Sequence, residues 1–181
     1  MELMEAIAKR KSIRKYTTDP VDNRLLHKVL EAARLAPSWK NGQCWRLVVV
    51  RDPARRQQLA EALPETNPCR KAFADAPVVI ALLADPSESE VYEGRVYYML
   101  DAGLAMEHLM LAACEEGLGT CWVGLFREEV VRKTLNLPDH IKVVALTPLG
   151  YPAKEPSPRP RKAMEEIVFS ETWGQKPEEL L

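Results

Sequence analysis

The sequence contains few of the residues from which proteins build their own catalytic groups. Its three histidines, His27, His108 and His140, lack the spacing of a metal site, and it has no nucleophile elbow and no Walker loop. No pairing of a nucleophile with a base is evident either. We therefore expect no catalytic residue and no metal in the protein itself, and a cofactor that brings the chemistry.

Cysteine and long apolar runs are scarce as well. The four cysteines, at positions 44, 69, 114 and 121, contain no CxxC pair, which argues against a zinc site and a disulfide framework. The longest apolar run, residues 76–84, is too short to cross a bilayer. The first residues are acidic and then charged, unlike a secretory signal. We expect a protein of the reducing cytoplasm, without a membrane partner.

The composition is that of a folded protein with little net charge. Of the 181 residues 46 % are apolar, which is enough for a hydrophobic core, and the formal charge is −1. We predict a single domain over residues 1–181, in which the proline-rich residues 152–181 form an extended C-terminal arm. Because the basic residues are clustered rather than spread, we expect no nucleic-acid partner.

Two basic clusters lie near opposite ends of the chain. Residues 9–16 hold five cationic side chains and Ser12, and residues 159–162 hold three more cations. A charge run alone most often marks a solvated helix face. Arg, Lys and Ser are also the donors that phosphate oxygens accept, and the presence of a second cluster favours this reading. We predict that both clusters meet at one phosphate.

Two further segments suggest a ligand site. Residues 36–45 form a loop with two Trp residues and two side-chain amides, which suits either the grip of a flat heterocycle or a turn whose Trp residues anchor the core. Residues 117–124 are rich in glycine without the full dinucleotide pattern. There we expect the glycines to let backbone amides approach a ligand.

The apolar periodicity predicts alternating helices and strands. Helices are expected at 1–10, 23–35 (with Asp22 as N-cap), 53–63, 95–116 and 127–136, and strands at 45–50, 77–83, 120–123 and 141–149. Residues 64–70 are predicted to be irregular, and the polar residues 85–94 to be either a lid or plain surface. The helix over 95–116 is apolar almost all round, which predicts a homodimer, and Ile167–Phe169 with Trp173 should dock on the partner.

Four motifs of the nitroreductase family of FMN-dependent oxidoreductases resemble segments of this sequence, in the same order. These are residues 10–16 (RKSIRKY), 36–45 (APSWKNGQCW), 117–124 (GLGTCWVG) and 149–162 (LGYPAKEPSPRPRK). Cys44 stands where the family usually has proline. The resemblance implies an α+β fold with a mixed, mainly antiparallel sheet flanked by helices. It also implies a long helix at a dimer interface and a C-terminal arm that embraces the partner subunit.

The resemblance further implies two FMN sites, each built from both subunits. The phosphate would be held by Arg10, Ser12 and Arg161, with help from Lys11 and Lys162. The flavin ring would be lined by Pro37, Ser38, Trp39, Asn41 and Gln43, of which residues 37–39 come from the other chain. The backbone of Trp122, Val123 and Gly124 would approach N5. Arg14 would lie near N1 and the C2 carbonyl, where reduction leaves negative charge.

The function implied is hydride transfer from NADH or NADPH through FMN to an oxidised acceptor such as a nitroaromatic or a quinone, with ping-pong kinetics. Two alternatives remain open. One is a flavin-dependent dehalogenase or flavin-fragmenting enzyme of the same superfamily. The other is a non-enzymatic module that binds phosphate or nucleic acid. The motifs identify neither the acceptor nor the preferred nicotinamide.

Overall fold

The computed structural model of the protein describes residues 2–177. The strands, numbered in chain order, are β1 (Trp45–Val50), β2 (Val78–Ala84), β3 (Val91–Tyr92), β4 (Arg95–Val96), β5 (Gly119–Thr120) and β6 (Lys142–Gly150). The helices are α1 (Leu3–Lys9), α2 (Asn23–Arg34), α3 (Pro53–Glu61), α4 (Cys69–Asp75), α5 (Tyr97–Glu115), α6 (Glu128–Leu135) and α7 (Met164–Ile167).

The core of the fold is an antiparallel sheet in the order β1-β2-β6-β5. Successive residues of the central strand β2 point to opposite faces, and both faces are buried. Val78, Ile80 and Leu82 pack on the side of α2 and α5. Val79, Ala81 and Leu83 pack on the side of α3, α4 and α6. A strand covered on both faces explains the continuous apolar run, and the predicted α+β class is confirmed.

Helix α5 is apolar on two sides, as its sequence predicts. One side is buried against α2 and the sheet through residues that include Ala102, Ala105, Met106 and Leu109. On another side Met99, Leu100 and Leu104 are 45, 56 and 45 % exposed in the single chain. The neighbouring helix α1 also exposes Leu3 and Met4, at 67 and 71 %. Exposed apolar side chains in such number are typical of a surface that another chain covers.

The segment before β2 differs from the prediction. Residues 64–70 are predicted to be irregular and no element is predicted for 71–76, whereas α4 begins at Cys69 and runs to Asp75. The guanidinium of Arg56, on α3, donates to the carbonyl of Ala74 at 2.7 Å and also to that of Ala76. These carbonyls at the end of α4 have no partner inside the helix, so an arginine distant in sequence satisfies them. Such a tertiary cap leaves no local sequence pattern.

The N-terminal segment after α1 joins the edge of the sheet and runs beside the start of the C-terminal arm. Ser12 forms a parallel bridge with Thr120, and the N–H of Ile13 donates to the Thr120 carbonyl at 2.8 Å. Further along, the N–H of Thr17 donates to the Tyr151 carbonyl at 2.9 Å, and Tyr16 bridges Pro152. These pairings bring the two ends of the chain together, and the parallel bridge makes the sheet mixed at this edge.

The predicted arm follows Gly150 as an extended chain with the short helix α7. Its apolar side chains contact each other: the rings of Phe169 and Trp173 lie 4.6 Å apart, and Trp173 is 90 % exposed. Docking of this arm on a partner stays a prediction. The described residues do not include 178–181 of the arm or Met1 of the first predicted helix. Within residues 2–177, no helix is long and apolar enough to cross a membrane.

Candidate functional site

The two basic clusters meet in one cavity of about 170 Å³, here called the cationic cavity. It is lined by Arg10, Lys11, Ser12, Arg14, Pro156, Ser157, Arg159 and Arg161. The pairing of the segment after α1 with residues 151–153 explains the convergence, because it places the continuing arm beside the first cluster. Of the residues expected at a phosphate, Lys162 alone is not among those lining the cavity.

The wall of the cationic cavity carries positive charge that its own residues do not neutralise. Among residues 2–177, those that line it include five cations and no Asp or Glu. Two carboxylates lie nearby: Glu155 is 3.1 Å from the Lys11 ammonium, and Glu107 is 3.9 Å from the Arg10 guanidinium. Both carboxylates are largely exposed, where an ion pair contributes little. A bound dianion would therefore relieve the repulsion among the arginines.

The guanidinium of Arg14 is only partly satisfied by hydrogen bonds. Its Nη1 donates to the Ser12 carbonyl at 3.3 Å, while its Nε is buried without a hydrogen-bond partner among the described residues. Buried polar atoms in native proteins are nearly always satisfied, so this nitrogen is an exception within the fold. The resemblance implied a ligand contact for Arg14 and not this orphaned atom.

The glycine-rich segment lies directly beside the first cluster, through the Ser12–Thr120 bridge. Gly119 has a structural role there, because a Cβ at this position would come within 2.6 Å of the Ile13 side chain. The approach of a ligand to this backbone stays a prediction. Val123 is buried and exchanges both backbone hydrogen bonds with Leu146 at 2.9 Å. Trp122 is 42 % exposed, and Gly124 is exposed beside its indole.

The loop over residues 36–45 is held in an unusual backbone conformation. Lys40, Asn41 and Gln43 have φ values of 47°, 58° and 49°. Left-handed backbone costs a non-glycine residue on the order of 1–3 kcal/mol and is concentrated at functional sites. The Ser38 hydroxyl accepts the N–H of Gln43 at 2.9 Å, and the Trp39 ring lies 4.1 Å from that of Tyr97. Pro37, Asn41 and Gln43 are exposed.

Asp101 anchors this loop, and the sequence analysis missed it. The side chain is 3 % exposed, and its Oδ1 accepts the N–H of Trp39 at 2.9 Å. Its Oδ2 accepts the Ser89 hydroxyl at 3.3 Å and the Cys44 thiol at 3.7 Å. A signal was present: Asp101 shares a helical stripe with buried Ala105 and Leu109, and a carboxylate on a buried face requires hydrogen-bond donors from elsewhere.

Glu90 connects the loop to the segment over residues 85–94. Its carboxylate accepts the Trp39 indole N–H at 3.1 Å and the Lys40 ammonium at 2.7 Å. The segment continues into the β3–β4 hairpin, whose Val91 and Tyr92 side chains are 67 and 54 % exposed. The segment is thus bonded to the loop, not detached from it.

The loop and the cationic cavity are separate within one chain. The residues lining the cavity include none from 36–45. Asp101, which holds the loop, and Glu107, which faces Arg10, are six residues apart on α5, about 9 Å along its axis and on different sides of the helix.

The fold is thus α+β, with an arginine-lined cavity where the two ends of the chain meet. The chain matches the model of the nitroreductase family over residues 7–151, and it belongs to that family. It is 37 % identical to a nitroreductase family protein from Clostridium novyi NT, whose crystal structure aligns over 97 % of both chains with a TM-score of 0.82.

Other relatives carry more specific names. An NADH dehydrogenase from Thermus thermophilus is 34 % identical, over 93 % of this chain and 96 % of the relative. An FMN-dependent nitroreductase from Clostridium difficile R20291 is 27 % identical, over 93 % of this chain and 99 % of its own, with a TM-score of 0.82. A 5,6-dimethylbenzimidazole synthase from Rhodospirillum rubrum is 28 % identical, over 81 % of this chain and 80 % of the relative.

Proposed function

We propose that the protein is an FMN-dependent oxidoreductase that transfers a hydride from NADH or NADPH to an oxidised acceptor such as a nitroaromatic or a quinone. The observation that carries this proposal is the convergence of Arg10, Arg14 and Arg161 in a cavity whose wall, among residues 2–177, holds no acid. Membership of the nitroreductase family, with an FMN-dependent nitroreductase among the relatives, supports the choice of FMN as the anion.

The cavity residues divide into two roles toward FMN. Arg10, Ser12 and Arg161 would hold the phosphate, with Lys11 beside them and Lys162 as a more distant charge. Arg14 would direct its orphaned Nε to the edge of the flavin ring. Bound FMN supplies two-electron chemistry at N5. A fixed cation near N1 would stabilise the negative charge that the ring gains on reduction.

The ring itself would lie against the loop of a partner subunit, through Pro37, Ser38, Trp39, Asn41 and Gln43. The exposed apolar residues of α1 and α5 support a homodimer, and so does the exposed arm. The exposed backbone at Trp122 and Gly124 could then reach the ring, whereas the N–H of Val123 is bonded to Leu146. One open face for both substrates predicts ping-pong kinetics. A cytoplasmic location stays a prediction.

The direct test is the absorbance spectrum of the purified protein, followed by FMN titration and anaerobic reduction with NADH and NADPH. We expect a yellow protein that either nicotinamide bleaches and a nitroaromatic or quinone reoxidises. Protein whose spectrum and thermal midpoint do not change on addition of FMN would overturn the proposal.

The phosphate roles have their own test. Arg10→Ala and Arg161→Ala should each weaken FMN binding about tenfold or more, because each removes a charge-assisted hydrogen bond of about 1.5–3 kcal/mol. Arg24→Ala is the matched control, since Arg24 is 93 % exposed on α2 and lines no part of the cavity. Sedimentation should show the same oligomer for all three variants. Equal FMN affinity in both cavity variants and the control would remove the assigned roles.

The 5,6-dimethylbenzimidazole synthase among the relatives favours a second candidate, an enzyme that consumes its flavin. Steady NAD(P)H turnover at constant FMN would support the first candidate. Loss of FMN under oxygen would support the second, and halide release from a halogenated tyrosine would instead support the dehalogenase alternative. A nucleic-acid module would instead show steeply salt-dependent binding and no flavin.

A further inference from the structure

Two cysteines far apart in sequence meet beside the cationic cavity. Cys69 begins α4 and Cys121 follows β5, and their sulfur atoms lie 3.3 Å apart. Both residues are buried, with 3 and 1 % exposed. The separation exceeds the roughly 2.05 Å of a disulfide bond, so the pair is a dithiol in which the Cys69 thiol donates to the Cys121 sulfur.

The surroundings make the two thiols unequal. The hydrogen bond from Cys69, together with the Arg14 guanidinium and a hydrogen bond from Ser12, lowers the pKa of Cys121 against the raising effect of burial. The same hydrogen bond and burial raise the pKa of Cys69. Cys121 is therefore the more acidic thiol of the pair and the first to form the nucleophilic thiolate.

We propose that Cys69 and Cys121 form a redox-active dithiol that hydrogen peroxide oxidises to an intramolecular disulfide. The Cys121 thiolate attacks one peroxide oxygen, the O–O bond breaks, and hydroxide leaves, which produces a sulfenic acid. The Cys69 sulfur then attacks the Cys121 sulfur, the S–O bond breaks, and water leaves with the Cys69 proton. In total two thiols lose two electrons and two protons, and one peroxide becomes two waters.

Two features of the site permit this reaction. Ser12 lines the cationic cavity and hydrogen-bonds the Cys121 sulfur, so the thiol lies directly behind the wall of that cavity. The sulfur atoms need to approach each other by only about 1.3 Å to reach bonding distance. Cys69 follows the irregular residues 64–68 and lies at the free end of a short helix, where such a shift disturbs little regular structure.

The other two cysteines provide internal controls. Burial beside the Asp101 carboxylate raises the pKa of Cys44 to about 11, and burial raises the pKa of the half-buried Cys114 as well. Neither has a thiol partner within the described residues. The Cys44→Ser, Cys114→Ser double variant therefore retains just the proposed pair and is the background for the test.

The test treats this full-length background protein with a small excess of hydrogen peroxide at pH 7. We expect two thiols to disappear on Ellman titration after unfolding, with a mass loss of 2 Da that dithiothreitol reverses. On the same background Cys69→Ser should stop at a sulfenic acid that dimedone captures. Cys121→Ser should react more slowly than Cys69→Ser, because burial still raises the pKa of Cys69.

Several results would overturn the proposal. Two thiols that survive peroxide, a disulfide between chains instead of within one, or direct passage to sulfinic acid would each do so. Equal peroxide rates for Cys69→Ser and Cys121→Ser would show that the asymmetry is absent. Alanine variants at the same positions, checked by thermal unfolding, repeat the test if a serine variant does not fold.

Discussion

Replacement of Asp101 by alanine tests whether one buried carboxylate holds the loop over residues 36–45 in place. The carboxylate bonds three segments: Trp39 in the loop, Ser89 in the segment over 85–94, and Cys44 at the start of β1. Loss of an acceptor for the Trp39 N–H should cost about 1.5–3 kcal/mol, and loss of the longer Ser89 bond about 0.5–1 kcal/mol. We therefore expect Asp101→Ala to lower the free energy of unfolding by about 2–4 kcal/mol.

Asp101→Asn is the matched control. An asparagine side chain has the same shape, and its carbonyl oxygen can still accept the Trp39 N–H. Its amide group can no longer accept from Ser89 and Cys44, so we expect a smaller loss of about 1 kcal/mol. The difference between the two variants therefore isolates the bond to Trp39.

The assay combines denaturant unfolding with hydrogen exchange of the backbone amides. The left-handed residues Lys40, Asn41 and Gln43 make the loop prone to relax once its anchor is removed. In Asp101→Ala the amides of Trp39 and Gln43 should exchange roughly 30-fold faster or more, since 1.4 kcal/mol corresponds to a factor of ten. Unchanged exchange in Asp101→Ala, or an equal loss of stability in both variants, would refute the anchoring role.

Three further predictions concern other contacts. Arg56→Ala should destabilise the protein by about 1–3 kcal/mol in denaturant unfolding, because it leaves the buried carbonyl of Ala76 without its donor; a loss no larger than in the exposed control Arg24→Ala would contradict this. Gly42→Ala should destabilise by about 1–3 kcal/mol, because the new Cβ would lie 2.2 Å from the Glu88 carbonyl oxygen; Gly94→Ala, which meets no atom within 4 Å and adds just backbone strain, should cost less. The lowered pKa of Cys121 means that the native pair binds fewer protons than the unfolded chain just below the ordinary pKa of a thiol, so native stability should rise with pH over that interval. Above pH 9 the unfolded thiols lose their protons while Cys69, with its raised pKa, retains one, so stability should fall again. Thermal midpoints of wild type and Cys121→Ser across this range provide the check, and parallel curves would contradict the assignment.

Much of the fold was predictable because its signals are local. β1 spans the predicted residues 45–50, and the Asp22 side chain accepts the Arg24 N–H at the start of α2 as an N-cap should. β2 is as buried on both faces as its unbroken apolar run indicates. Strand runs and helix caps depend on neighbours within a few residues, which the sequence displays directly.

The parts that were missed depend on contacts between distant residues. The extent of α4 depends on Arg56, and the need for glycine at position 119 depends on Ile13. The position of the loop over residues 36–45 depends on Asp101. In the candidate site, the convergence of the two basic clusters was predictable because their charge demands a common partner. The orphaned Nε of Arg14 and the thiol pair were not, since each is defined by distances between side chains.

The pairings that close the fold are also those that create the cationic cavity. Residues 12–17 reach the sheet edge through Thr120 and the arm through Tyr151, so the cavity exists when both ends of the chain are in place. An anion that bridges Arg10 and Arg161 therefore binds the folded arrangement and not the unfolded chain. At one hundred times its dissociation constant such a ligand adds about 2.7 kcal/mol to stability. Without a ligand, the like charges of the cavity repel each other and oppose folding. With an anion bound between them, the same charges would hold the two ends of the chain together.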